Sequence, residues 1–327
     1  MPEINRDLTT EPVVKVQSLS RHFGNKKALD DVTLTVRRGT VFGLVGENGA
    51  GKSTLIKHLL GLWRAQSGSV RVFGIDPVAK PADVLVRIGY LSEQPALPGW
   101  MRVDELLRYT QAFYPHWDEN YAEQLREQFG LDPKARVTTL SKGQHAKLGL
   151  IAAQAHRPDL LLLDEPSSGL DPIVRRDILE AIIRTVTDEG RTVIFSSHLL
   201  DEIERVSDHL AMLHKGRLTL CEALDDVKAR HRRISLRFEL PQPTPPEIRG
   251  AIAVTGTGKS WTVVCDEAEI DRQSLTRQFG ATVIDECAAS LDEIFVAHTM
   301  TKTPAGKTSH MTAAGTAESS PTVEAAR

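Results

Sequence analysis

An α/β fold is expected for this chain of 327 residues, on three grounds. From Val13 to about Cys221, short apolar runs alternate with helical stretches. One run, Val41–Val45, leads straight into a glycine-rich segment and then a helical run. Another, four consecutive leucines at 160–163, ends in two acids, Asp164 and Glu165. Strands this apolar on both faces belong to a mainly parallel sheet with helices on either side.

Taken in order, residues 1–11 are polar without periodicity and are expected to be disordered. Strands are expected at 14–16, 32–36, Val41–Val45, 70–73, Ile88–Leu91, 160–163, 193–196 and 210–213. Residues 103–129 are rich in Glu, Gln and Arg at helical spacing, and read as a helical insertion. Its aromatics Tyr109, Phe113, Tyr114 and Trp117 are expected to pack that subdomain, with a partner groove as the alternative. A helix over 172–189 has all its punctuation: Asp171 as N-cap, Pro172 at the first helical position, Gly190 after the last turn. Beyond Cys221 the texture changes. Ile234, Leu236, Phe238 and Leu240 alternate as in a strand and a proline-rich turn follows. Then come a strand near 261–265, a helix near 268–279, a strand at 282–285 and a helix from Leu291. Residues 299–327, rich in Thr, Ala and Ser and free of aromatics, are expected to be disordered.

Composition narrows the function classes. Lys and Arg number 40 against 43 Asp and Glu, a net charge of −3, which gives no broad attraction to nucleic acid. No apolar run nears the roughly 18 residues of a membrane span, and the N-terminus lacks the apolar core of a secretory signal. Cys221, Cys265 and Cys287 are odd in number and far apart, reading as reduced thiols of a cytoplasmic protein. The basic run Lys228 to Arg233 reads as a solvated inter-domain helix end, with contact to anionic lipid as the alternative.

The segment Gly46, Glu47, Asn48, Gly49, Ala50, Gly51, Lys52, Ser53, Thr54 matches G-x-x-x-x-G-K-[ST] between a strand and a helix. Its glycines let successive backbone N–H groups surround phosphates and the helix start adds partial positive charge. Lys52 can reach the outer phosphates, and the Ser53 hydroxyl can hold Mg²⁺. A second GKS, at 258–260, lacks the first glycine, because Ala253 stands there. A strand rather than a helix follows it, so it is expected to be a hairpin turn.

With these motifs in order, the chain resembles the ATP-binding cassette (ABC) ATPases. The series is Phe23 in HFG, the Gly46–Thr54 loop, LSKGQ at 140–144, LLLLDEP at 160–166, SGLD at 168–171 and His198 in SSH. The resemblance implies a P-loop NTPase cassette: a RecA-like core, an antiparallel edge sheet and a helical subdomain of about 95–155, over residues 12–222. A small accessory α/β domain at 223–298 completes the expected organisation. It also implies roles. Phe23 stacks on adenine, Asp164 supports Mg²⁺, Glu165 is general base or water positioner, and His198 contacts the γ-phosphate. Asp171 lies at a dimer seam, and Ser141, Gly143 and Gln144 contact ATP held by a second cassette.

Two residues depart from the family pattern. Lys142 replaces the middle residue of LSGGQ, and Glu93 stands where the family has a glutamine linked to Mg²⁺ and water. The resemblance implies ATP and Mg²⁺ as cofactors, and ATP hydrolysis coupled to export through a separate permease of the ABC-2 type. It also implies residence on the inner face of the cell membrane. The segment at 290–295, SLDEIF, resembles the tail of cassettes serving such exporters. A soluble cassette ATPase acting on nucleic acid or the ribosome is the alternative.

Overall fold

The computed structural model describes residues 11–300 except 188–189, 273–274 and 276–279. The segments expected to be disordered, 1–11 and 299–327, lie outside the described residues apart from Glu11 and from Thr299 and Met300, which instead end a helix at Leu291–Met300. The central sheet has six strands in the order β5 (Ile88–Leu91), β6 (Leu160–Asp164), β7 (Thr192–Ser197), β3 (Val41–Val45), β8 (His209–His214), β9 (Arg217–Ala223). The first five pair in parallel, and β9 returns antiparallel to β8.

Every residue of β3, β6 and β7 is buried, and alternation decides which layer each one serves. Leu160, Leu162, Phe42, Leu44 and Ile194 share a core with helix α1 (Lys52–Leu59) and an antiparallel sheet of β2 (Lys26–Val36), β1 (Val14–Phe23) and β4 (Ser67–Val72). Leu161, Leu163, Val193 and Phe195 face the opposite core. That core takes in α3 (Val103–Gln111), α4 (Glu119–Gln128), α5 (Lys142–Gln154), α6 (Pro172–Thr187) and α7 (Leu200–Val206). Each fully buried leucine is worth about 2 kcal/mol in area terms. The run of four leucines thus serves both layers, as β3 and β7 also do.

Short helix α2 (Pro81–Leu85) precedes β5, and α8 (Leu224–Arg230) follows β9. The C-terminal part is a three-stranded antiparallel sheet in the order β11 (Ala251–Asp266), β10 (His231–Gln242), β12 (Ala281–Ala288), closed by α9 (Leu291–Met300). Ile234, Leu236, Phe238, Trp261 and Val263 form its own core. Leu291, Ile294 and Ala297 of α9 instead join the main core beside α7.

Several expectations need correction. β1 and β2 are far longer than 14–16 and 32–36, because irregular register at 16–22 keeps polar residues in the ladder. Helix α5, absent from the sequence reading, is buried over most of its length and so lacks an amphipathic stripe. The 172–189 helix is described to Thr187. The one at 268–279 falls partly outside the described residues. The GTGKS segment is no separate turn: it lies within β11, bent at Gly256 (φ 148) and Gly258 (φ 59). Tyr109 and Phe113 are exposed, edge to face at 5.1 Å, whereas Tyr114 stacks on His156 at 3.7 Å. The basic run is matched by acids of the same chain: Lys228 with Glu204, Arg230 with Glu222 and Asp266, Arg232 with Glu267, Arg233 with Asp285 and Glu293. That favours the inter-domain reading over a lipid patch.

His156 is buried at the end of α5, where its Nε2 donates to the Ile88 carbonyl at 3.1 Å. Burial pushes its pKa down to about 4, against the raising effect of that hydrogen bond. The folded state therefore keeps a neutral ring while the unfolded chain binds a proton below about pH 6.5. Stability is expected to fall by roughly 3 kcal/mol as pH drops from 6.5 to 4. Urea unfolding across that range checks it: His156→Phe should flatten the dependence.

Candidate functional site

At the C-terminal end of β3 the chain turns through 46–51 into α1. Two glycines there have no substitute. A Cβ at Gly46 would strike the Leu213 carbonyl and Ala50. Gly51, the N-cap of α1, has φ 117 and would place a Cβ 2.5 Å from the Ala28 carbonyl. Ala50 N–H donates to the Glu47 carbonyl (3.0 Å) and Gly216 N–H to that of Ala50 (2.9 Å), which ties the loop to the β8–β9 turn. No side chain caps α1, so its first N–H groups and its dipole are available to an anion.

Lys52 starts that helix, yet its side chain is only 5% exposed. Nζ donates to the Gly46 carbonyl at 2.5 Å and lies 3.0 Å from Glu165 Oε1. The latter contact is an ion pair without hydrogen-bond alignment, so Oε1 remains short of a good donor. Glu165 follows β6 with a left-handed φ of 51, its N–H on the Ser196 hydroxyl at 2.9 Å. Its Oε2 accepts from His198 Nδ1 at 2.6 Å. The Ser196 hydroxyl in turn donates to Asp164 Oδ1 at 2.8 Å. The ends of β3, β6 and β7 thus converge on one point.

Around it opens a cleft of about 340 Å³, lined by Phe23, Glu47, Asn48, Gly49, Gly51, Lys52, Ser53, Thr54, Glu93 and Glu165, together with Lys26. Gly46 and Ala50 stand behind the loop, and Asp164 and His198 join through Ser196 and Glu165. Phe23 is 41% exposed and meets Trp63 edge-on at 5.0 Å, with the Arg21 guanidinium 4.8 Å above its ring. Glu93 Oε1 accepts from the Ser168 hydroxyl at 3.1 Å. Ser53, Asp164 and Glu93 offer only oxygen atoms, and two of the three open onto the cleft, a donor set that suits a hard divalent cation.

Other expected residues are not brought to this cleft. Ser141 and Gln144 form a capping box at the start of α5: Gln144 N–H to Ser141 Oγ at 3.2 Å, Ser141 N–H to Gln144 Oε1 at 2.9 Å. Gly143 packs against Val174 so closely that a Cβ would sit 3.0 Å from its methyls. Asp171 caps α6, accepting from the N–H groups of Ile173 and Val174 at 3.1 Å each. Lys142 Nζ folds over Gly169, next to the Ser168 that holds Glu93, so both departures from the family pattern touch one turn. The sequence reading missed Lys26, Trp63, Arg175 and Glu202. For Glu202 no local signal exists, because its partners lie in other elements.

A phosphate-cradling loop between β3 and α1, with acids at the end of the strand one place beyond β7, defines a P-loop nucleotide hydrolase. Comparison with known proteins narrows this class. The family model described as ABC transporter matches residues 29–168. The chain is 27% identical to "ABC transporter ATP-binding protein YtrB" of Bacillus subtilis (strain 168), across 87% of this chain and 97% of that protein. It is 34% identical to "Bacitracin transport ATP-binding protein BcrA" of Bacillus licheniformis, across 70% and 75%. A solved structure, "Structure of ATP binding subunit of ABC transporter", superimposes with a TM-score of 0.61 at 31% identity, covering 66% of this chain and 92% of that one. The chain belongs to the ABC transporter ATP-binding proteins: it binds and hydrolyses ATP as a subunit of such a transporter.

The Lys52–Glu165 pair gives a direct test without nucleotide. Lys52→Met should destabilise the protein by about 3 kcal/mol, because it leaves a buried carboxylate without its cation. Lys52→Met with Glu165→Gln should recover most of that loss. Urea unfolding of the three chains provides the measurement.

Proposed function

We propose that this subunit drives export through a separate membrane permease of the ABC-2 type, as one of two cassettes that close over ATP. The observation that carries the two-cassette reading is a separation. The cleft holds the loop, Lys52 and Glu165, while Ser141, Gly143 and Gln144 lie outside its lining. A second cassette, presenting the same residues face to face, completes the site. Export is supported by the SLDEIF segment at 290–295 and by the likeness to BcrA, whose name assigns it to bacitracin transport.

In this reading the loop amides and Lys52 hold the β- and γ-phosphates, and Phe23 stacks on adenine. Glu165 positions or deprotonates the attacking water, and His198, hydrogen-bonded to Glu165, faces the γ-phosphate. Ser53, Asp164 and Glu93 hold Mg²⁺, which when bound supplies charge neutralisation on the phosphates. Catalysis then rests on positioning and preorganised charge, with no covalent intermediate on the protein. Asp171 stands at the seam between cassettes. The chain divides into a cassette at 12–222, with its helical part at about 95–155, and an accessory unit at 223–298.

The permease has a fitting landing place. An apolar groove of about 410 Å³ runs between the end of α1, β5 and α5, floored by Ile88, Leu91 and Ala153 and rimmed by the exposed Leu62. Ser92 and Leu97, on the segment that carries Glu93, form one wall, so an amphipathic helix of the permease seated there would touch the chain that reaches the cleft. Among the described residues no helix is long and apolar enough to cross a membrane. Attachment to the inner face of the membrane therefore falls to the permease. The alternative, a soluble ATPase working on nucleic acid or the ribosome, has no such support.

Glu165→Gln should abolish turnover by at least about 100-fold while retaining ATP binding, with the loss confined to kcat in a steady-state assay. Affinity purification from detergent-solubilised membranes should recover a multi-span membrane protein with the chain. Its absence would remove the transporter-coupling part of the proposal.

A further inference from the structure

We propose that Glu202, which none of the sequence motifs includes, is a positioning residue for ATP hydrolysis. Its carboxylate fastens the turn after Glu165 to the strand end before His198. The inference rests on the assignment of Glu165 and His198 given above.

Glu202 sits on α7 with only 1% of its side chain exposed. Its Oε2 accepts two hydrogen bonds of 2.7 Å each, one from the Ser167 hydroxyl and one from the Ser197 hydroxyl. Oε1 lies 3.2 Å from Arg175 Nε on α6. Ser167 is two residues beyond Glu165, and Ser197 immediately precedes His198. The two serines at the end of β7 therefore divide the work. Ser196 binds Asp164 and the Glu165 N–H, on the cleft side, while Ser197 binds Glu202, on the α7 side.

A buried carboxylate is costly unless its charge is paired and its lone pairs are filled. Arg175 and the two serines supply both conditions. For a purely structural anchor any well-packed apolar side chain would serve. This one joins three elements, and two of its contacts end beside the pair whose 2.6 Å contact defines the catalytic geometry. Loss of the bracket frees Glu165 and His198 to separate without removing either, and displacement of about 1 Å in such a constellation costs on the order of 100-fold in rate.

The test compares Glu202→Gln with the double variant Ser167→Ala and Ser197→Ala. Glutamine keeps the shape, but its one acceptor oxygen can hold the serines only by turning the amide NH2 group onto Arg175, so the two sides of the bracket are set against each other. The double variant keeps the Arg175 pair and removes only the hydroxyls. Both should lower kcat by roughly 10- to 100-fold. KM for ATP and the ATP affinity from a fluorescence titration should stay within about twofold, because the phosphate loop is untouched. If Glu202→Gln fails to fold, the two serine single variants carry the same comparison. Folded variants with normal kcat overturn the proposal. So do variants in which kcat and ATP affinity fall together in proportion to lost stability. Glu165→Gln is measured alongside. Turnover retained there removes the assignment on which the inference rests, whereas an inactive Glu165→Gln beside fully active Glu202 and serine variants overturns the positioning role alone.

Discussion

A charged lysine with 5% exposure is costly without a counter-charge, and that cost organises the cleft. Lys52 is placed by α1 and the loop after β3, yet the acid that answers it, Glu165, comes from the end of β6. Strand β7 lies between those two in the sheet, so the contact spans its C-terminal end, and Ser196, Ser197 and His198 are the residues found there. The site is thus a product of strand order. Ligands of open α/β sheets gather beyond the carboxyl ends of such strands, where loops diverge and backbone N–H groups are unpaired. In the proposed role of Lys52, the place that Glu165 holds beside Nζ is the one phosphate oxygens would take, so binding ATP would exchange one anion for another.

That exchange has consequences beyond the cleft. Glu165 also holds His198, and the turn that follows it carries Ser168, which contacts Glu93, and Gly169, over which Lys142 folds. The turn after Glu165 thus touches Lys142, the first residue of α5, next to the Ser141 and Gln144 that the proposed second cassette would meet. On the other side, α7 packs against α9, whose Leu291 and Ile294 enter the same core as Leu200 and Ile203. The C-terminal unit is built onto the helix that carries Glu202 rather than onto a remote surface. Lys228 and Arg230 pair with Glu204 and Glu222 across that junction, exposed contacts worth little in stability, and with Asp266 they leave little free positive charge for a lipid surface.

The parts legible in the sequence are those whose chemistry and local structure coincide in one segment. The loop at 46–54 and the leucine strand with its acids declare both a shape and a ligand, and the central strands were found because full burial leaves an unbroken apolar run. Asp171 and Pro172 likewise punctuate the start of α6 by local rules alone. What escaped notice depends on distance. Helix α5 is buried nearly all round and so carries no periodic stripe. The polar residues Ser18, Ser20 and Arg21 hid the true length of β1, whose ladder tolerates them through irregular register. GTGKS imitated a turn because two glycines permit sharp bends that a strand also accommodates. Glu202 and Arg175 read as ordinary helical charges, since nothing on either helix shows that Glu202 meets Ser167 and Ser197 or that Arg175 lies beside its other oxygen.

The claim that Glu165 holds the place of phosphate beside Lys52 is tested most directly by ATP affinity without turnover. Isothermal titration of the intact chain and of Glu165→Gln, in metal-free buffer, compares the two ground states. If the carboxylate competes for Lys52, its removal both frees the cation and relieves repulsion, and ATP should bind Glu165→Gln about 10-fold more tightly. Equal or weaker binding by Glu165→Gln would contradict the account.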